Sequence, residues 1–242
     1  AGMIYNEWTQ AHIIDGWQYK PEYSGRIVVD FGFRKPSVLF IVHDPHLKAD
    51  VICGEINPQE IKLSELARLI LLKACPRSLA NSYPNRILLD GASGDKAGSN
   101  RNDHTAQSSF KALSLPPEQE GIGMPFRWAT DPIRTDIMNG INRVKRLMHS
   151  KQILCTREVW DAGDRATGNS FKKAILSYSW DQKEQPKKDG HEDPLDALRY
   201  DVINWRWSDS TVGVKLPIED RSHIVEEKLK QRNLINASMR RF

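Results

Sequence analysis

Long apolar runs are missing from this chain. No stretch of its 242 residues approaches the roughly 18 apolar residues of a membrane span, so no membrane partner is expected. The start also lacks the apolar core of a signal peptide. Cysteine is scarce: Cys53, Cys75 and Cys155 are three, odd in number and far apart. They form no C-x-x-C pair and no Cys/His zinc spacing, which leaves buried thiols in a reducing compartment. No G-x-x-x-x-G-K-[ST] occurs. GASGDKAGSN (91–100) is glycine-rich but lacks that spacing and the Lys-Ser/Thr pair, so it is rejected as a nucleotide site. Neither sign of charge dominates, because 35 basic and 31 acidic residues leave a net +4. That balance permits nucleic-acid binding without arguing for it.

What is present suits a globular α/β protein. RIVVDFGF (26–33), SVLFIVHD (37–44) and DVICGEIN (50–57) are β-branched runs with short links, which predict an antiparallel meander. LSELARLILLKAC (63–75) has helical apolar spacing, and NRILLD (85–90) reads as a strand ending in an aspartate. A strand-helix-strand passage favours a parallel crossover. Residues 91–123 read as a long loop, 124–130 as a strand and 131–150 as an amphipathic helix opened by an Asp-Pro cap. QILC (152–155) is strand-like, and 170–180 and 193–209 are helical. The expected architecture is a mixed sheet, antiparallel over its first three strands and then parallel, with helices on both faces. Its expected limits are a lead-in at 1–24, one domain at 25–209 and a charged helical tail at 210–242. Ala1-Gly2-Met3 reads as residues placed ahead of an internal start, as in a piece of a longer protein.

The chemistry is sought in aspartates. GHEDPLDALRYDVINW (190–205) sets Asp193 and Asp196 three apart at a helix front. As helix punctuation, Asp193 is an N-cap before Pro194, and Asp196 favours the positive helix end. As ligands, they need other carboxylates to converge on them. Asp30 ends the first long strand and Asp90 the fourth. If those strands are parallel neighbours, the two aspartates emerge side by side at one sheet edge. Like charges so placed call for a divalent cation. Mg²⁺ and Mn²⁺ accept such hard oxygen ligands, and two ions roughly 3.5–4 Å apart serve phosphodiester hydrolysis. The bland alternative for each strand-end aspartate is a turn.

VVDFGF, ILLDGASG, GINRVKRLM followed by QILC, FKKAILSYSW and EDPLDALRY, in this order, resemble the nuclease domain of viral terminase large subunits. These are the DNA-packaging motors of tailed phages, and the resemblance covers roughly residues 26 to 207. It implies an RNase H-like fold and a metal-dependent endonuclease that cuts concatemeric double-stranded DNA with little sequence preference. Carried over residue by residue, Asp30, Asp90 and Asp196 match the ligands of two Mg²⁺ or Mn²⁺ ions. Asp193 stands where relatives have a histidine or a second acid, and His191 is placed to orient a water or phosphate. The family also implies an ATPase domain, a small terminase subunit and a portal as partners, in the cytoplasm of the bacterial host. Candidate phosphate contacts are Arg34, Lys35, Lys96, Arg101, Lys187 and Lys188. Two readings stand beside this one: a junction resolvase or transposase of the same fold, and a non-catalytic DNA-binding or docking module.

Overall fold

Strand alternation sorts the apolar side chains of this protein onto two faces of one sheet. The computed structural model describes residues 2–31, 35–94, 109–128, 136–182, 185–187 and 192–206. Among them, eight strands form the sheet: β1 (Ile13–Ile14), β2 (Ser24–Asp30), β3 (Ser37–Asp44), β4 (Ala49–Ile56), β5 (Ala74–Pro76), β6 (Ile87–Gly94), β7 (Phe126–Arg127) and β8 (Ile153–Thr156). Their order is β1-β8-β4-β3-β2-β6-β5, with β7 also pairing with β6. β2, β3 and β4 pair antiparallel, while β6 joins β2 and β8 joins β4 in parallel. The expected mixed sheet is therefore present.

The helices are α1 (Leu63–Lys73), α2 (Ser109–Ser114), α3 (Ile137–His149), α4 (Arg157–Arg165), α5 (Phe171–Ser177) and α6 (Asp193–Asp201). α6 runs into a π-helical turn, Val202–Arg206. Val28, Leu39, Ile41 and Ile52 pack with α3, α4, α5 and α6 on one face. Ile27, Val29, Val38 and Phe40 pack with α1 and α2 on the other. Burial on both faces is why these strands read as continuous apolar runs rather than alternating ones.

Side-chain caps fix three helix starts. Asp136 accepts from the Asn139 amide, Thr156 from Val159 and Ser170 from Lys173. α3 thus begins at Ile137, and the Asp-Pro start expected at 131 lies outside the described residues. The sequence pattern does not announce α4, because RATG and DAG dilute its apolar stripe of Val159 and Trp160.

In the lead-in segment before residue 25, Ile4 and Tyr5 are buried in the core on the α6 face, and β1 pairs with β8. One further expectation is corrected. The fourth long strand does not stop at Asp90 but continues through GASG to Gly94. That tract is not a turn, because its small residues are packing requirements. A Cβ on Gly91 would stand 2.0 Å from the Trp205 indole, and one on Gly94 would stand 2.4 Å from the Val29 carbonyl oxygen. Gly91→Ala is expected to cost about 1–3 kcal/mol by forcing the rigid indole aside. Urea unfolding reads this, and a loss under about 0.5 kcal/mol, the surface level, contradicts it. The tail expected at 210–242 lies outside the described residues.

Candidate active site

Asp30 is the last residue of β2, where it pairs with Ser37 of β3. Strand alternation puts it on the same face as Arg26 and Val28, and Val28 packs with Leu195 and Leu198 of α6. Arg26 anchors the opposite end of this pairing. Its Nε donates to Asp201 Oδ1 at 2.6 Å, and its Nη2 donates to Asp201 Oδ2 at 2.8 Å and to Asp50 Oδ2 at 2.5 Å. The end of α6 therefore meets the start of β2, and the helix runs back along the strand. Arg26 to Asp30 spans about 13 Å of strand, at roughly 3.3 Å per residue. Asp201 back to Asp193 spans about 12 Å of helix, at roughly 1.5 Å per residue. The matched lengths bring the front of α6 to the Asp30 end of the sheet. Lys35 agrees with this placement, since it acts on the Asp193 carboxylate and lines the same cleft as Ser37 and Asp193.

The punctuation reading of Asp193 does not hold. The N-cap position is Glu192, with no side-chain cap bond, and Asp193 already lies in the helix. Its carboxyl is hydrogen-bonded by Asn169 instead. Burial, then the negative charges of Glu192 and Asp196, push its pKa up to about 6, against partial relief from Asn169 and Lys35. Asp196 is oriented by Arg199, whose Nη2 and Nε stand 3.1 and 3.3 Å from one oxygen, Oδ1. Arg199 is buried, and its methylenes pack where a Cβ on Gly140 would intrude.

The raised Asp193 value has a signed consequence. Between about pH 4 and about pH 6 the unfolded chain has lost this proton while the folded chain keeps it, so stability falls as pH rises through that window. A constant penalty remains above it. In EDTA, Asp193→Asn is expected to remove this slope and to stabilise the protein above pH 6, by on the order of 1 kcal/mol after discount for partial exposure. Parallel melting curves for parent and variant across that range would contradict it.

Asp90 is elsewhere. In the β2–β6 register Val29 pairs with Gly94, and Asp90 falls at the irregularity beside Gly25 and Arg26. It is displaced from Asp30 by about five residues, roughly 16 Å of strand. There it accepts from Arg77 Nε at 2.7 Å and Nη2 at 3.0 Å, and Arg77 also donates to the carbonyls of Pro21 and Tyr23. These bonds from Arg77 hold the Asp90 carboxyl below its usual range. Asp90 is thus a staple for the segment entering β2, and the expected Asp30–Asp90 pair is not formed.

A cleft of about 250 Å³ adjoins the acidic end, lined among others by Lys35, Ser37, Asn169, Lys173 and Asp193. Lys173 folds back onto the Ala166 and Gly168 carbonyls and steadies the loop carrying Asn169. Neither Lys173 nor Asn169 was singled out from the sequence, since only folding brings α5 to this edge. Among the expected phosphate contacts, Lys35 is exposed at the cleft, and Lys187 bonds through its backbone amide to Ser179. Arg34, Lys96, Arg101, Lys188 and His191 lie outside the described residues. Among the described residues, no three His, Cys, Asp or Glu side chains are grouped closely enough to hold a metal ion. No described helix is long and apolar enough to cross a membrane.

Solved phage proteins share this fold. The nuclease domain of the P22 large terminase superposes with a TM-score of 0.61 at 13% identity, over 84% of this chain and 92% of that one. A large terminase from a thermophilic bacteriophage, solved in complex with ATP-γ-S, gives 0.59 at 18%, over 85% of this chain and 46% of that one. This chain thus spans under half of that longer protein. The nuclease domain of the bacteriophage SPP1 large terminase, solved with bound Mn, gives 0.50 at 16%, over 83% and 98%. No protein-family model and no curated protein matches the sequence. At such identities the likeness establishes the fold: this chain has the mixed, helix-flanked, RNase H-like fold of phage terminase nuclease domains.

Proposed function

We propose that this chain is the cutting part of a phage DNA-packaging terminase, a metal-dependent endonuclease that hydrolyses concatemeric double-stranded DNA with little sequence preference. This reading is supported by Ser37, which pairs with Asp30 at the end of β2 and lines the same cleft as Asp193 at the front of α6. The shared fold with terminase nuclease domains supports it.

The residues suit a hard divalent cation. Carboxylate oxygens are its preferred ligands, and burial plus like charge at Asp193 leaves negative charge there that a cation would offset. Asp30 and Asp196 would hold it, with Asp193 as a further ligand or as the residue that binds a ligand water. The second-strand acid needs reassignment, since Asp90 faces Arg77. Gly94 pairs with Val29, and in the sequence an aspartate follows each, Asp95 and Asp30. Asp95, outside the described residues, is on these grounds our candidate in place of Asp90. Two ions, Mg²⁺ or Mn²⁺, are the proposed complement. When bound they polarise the phosphodiester and lower the pKa of a bound water.

The chain's own groups do the rest. β2, packed on both faces, holds Asp30 rigidly, and Arg199 fixes the rotamer of Asp196. Lys35 at the cleft supplies sequence-independent charge for a phosphate. Asp193, whose pKa without an ion is raised to about 6 by burial, Glu192 and Asp196, would be drawn to its ionised form by a bound cation. Double-stranded DNA, an ATPase domain, a small terminase subunit and a portal are the proposed partners, inside the bacterial host.

Plasmid nicking tests the reading. Purified protein is expected to relax supercoiled DNA with Mn²⁺ and not with EDTA. It should also cut linear duplex at least as well as a four-way junction. A strong junction preference would favour a resolvase, and no metal-dependent cutting would leave a docking module.

A further inference from the structure

Glu55 stands on the same face of the sheet as Asp30, two strands away. Ser37 of β3 pairs with Asp30, and Leu39, two residues on, pairs with Glu55 of β4. Leu39 packs on the α6 side of the sheet, whereas Ile56, the next residue of β4, packs on the α1 side. One oxygen of this half-buried acid, Oε2, accepts two hydrogen bonds. The Phe171 amide at the start of α5 donates at 2.7 Å, and Asn57 Nδ2 donates at 2.6 Å.

Each bond leads toward an acid of the site. Asn57 Oδ1 accepts from Ser37 Oγ at 2.6 Å, so the residue opposite Asp30 is tied to Glu55 through a single amide. On the other side, Phe171 follows Ser170, whose own amide donates to Asn169 Oδ1 at 2.9 Å. That bond occupies the acceptor end of the Asn169 side chain and leaves its NH2 to donate to the Asp193 carboxyl. The two arms also pack together. A Cβ on Gly168, just before Asn169, would meet Gln59 Nε2 at 2.1 Å, and Gln59 lies two residues after Asn57. Ser37, Asn57, Asn169 and Asp193 all line one cleft.

We propose that Glu55 is a positioning residue for the acidic site, its carboxylate fixing Asn169, and through it Asp193, relative to Ser37 and the Asp30 strand end. It touches neither metal nor DNA. This deepens the nuclease reading and rests on it for what Asp193 and Asp30 do. Outer partners that orient a ligand in this way are worth about 10–100-fold in metal affinity or activity.

The test reads turnover of linear duplex in Mn²⁺ with the full chain, beside NMR of the same proteins in EDTA. Glu55→Ala removes both bonds and should lower kcat about tenfold or more, with KM for DNA within about twofold. Glu55→Gln should stay within about threefold of the parent, since burial already pushes the Glu55 pKa up and one amide oxygen accepts both donors. Asn169→Ala added to Glu55→Ala should cost less than the product of the two single losses, because one residue acts through the other. In EDTA the Asn169 side-chain NH2 signals should shift in Glu55→Ala and keep their parent positions in Glu55→Gln. An unchanged kcat in Glu55→Ala overturns the proposal, as does an equal loss in the Gln variant, a loss carried by KM alone, or fully multiplicative losses. Should the alanine variant not fold, Asn57→Ala keeps the Phe171 bond, cuts the link to Ser37 and should lower kcat about threefold or more. Unchanged turnover there overturns it too. Failure of the wild type to cut with Mn²⁺ defeats the nuclease reading, whereas unshifted Asn169 signals in Glu55→Ala, or in Asn57→Ala where that is the folded variant, defeat the positioning whether or not the protein cuts.

Discussion

Asp30→Asn is expected to yield a folded protein whose metal-dependent cutting falls at least about a thousandfold. Metal-borne charge stabilisation is worth several kcal/mol, and about 4 kcal/mol is a factor of roughly a thousand in rate. Asp196→Asn should behave alike, because the amide oxygen still accepts from Arg199 while its value as a metal ligand is lost. The informative contrast lies on β6. Asp95→Asn should be as inert as Asp30→Asn. Asp90→Asn should cut within a few-fold of the parent, its effect confined to the Arg77 staple on the segment entering β2. Nicking rates in Mn²⁺ beside melting curves check all four. An inert, folded Asp90→Asn with an active Asp95→Asn would reverse the assignment.

The second large effect falls on stability. Arg26 bridges β2 to Asp201 of α6 and to Asp50 of β4, all three groups buried. Burial opposes its charge, but the two carboxylates more than offset this and raise its pKa. His43, half exposed, also contacts Asp50 at 2.9 Å. Arg26→Ala leaves two carboxylates in the interior and is expected to cost about 3–5 kcal/mol. Arg26→Met combined with Asp50→Leu and Asp201→Leu should recover most of that loss, since apolar replacement of a buried ion cluster is often near neutral. Because this bridge aligns α6 with β2, cutting should fall in any variant that loosens it. Urea denaturation decides, and a loss under about 1 kcal/mol for Arg26→Ala would mean the cluster is not holding the helix.

The parts visible in the sequence are those with strong local patterns. β3 matches SVLFIVHD to the residue, and β2 and α1 fall close to their apolar runs. Asp30 and the DPLDALRY helix were likewise findable, one at a strand end and the other by its apolar face. What escaped depends on tertiary contacts. The GASG tract resembles a loop because its small residues answer to Trp205 and to the Val29 carbonyl, which local pattern cannot reveal. That misplaced strand end put Asp90 at the proposed metal site. Asp193 resembles a cap before proline, yet the helix begins with Asp193 itself and its carboxyl turns to Asn169. α4 and the edge strand β1 carry too few apolar residues to announce themselves.

Anomalous diffraction from crystals soaked in Mn²⁺ tests most directly whether the carboxylates share a metal ion. The expected result is Mn²⁺ bound directly by Asp30 and Asp196, with the Asp90 carboxylate still on Arg77. Mn²⁺ at Asp90, or none at the Asp30 end of the sheet in crystals that bind it elsewhere, would contradict the assignment.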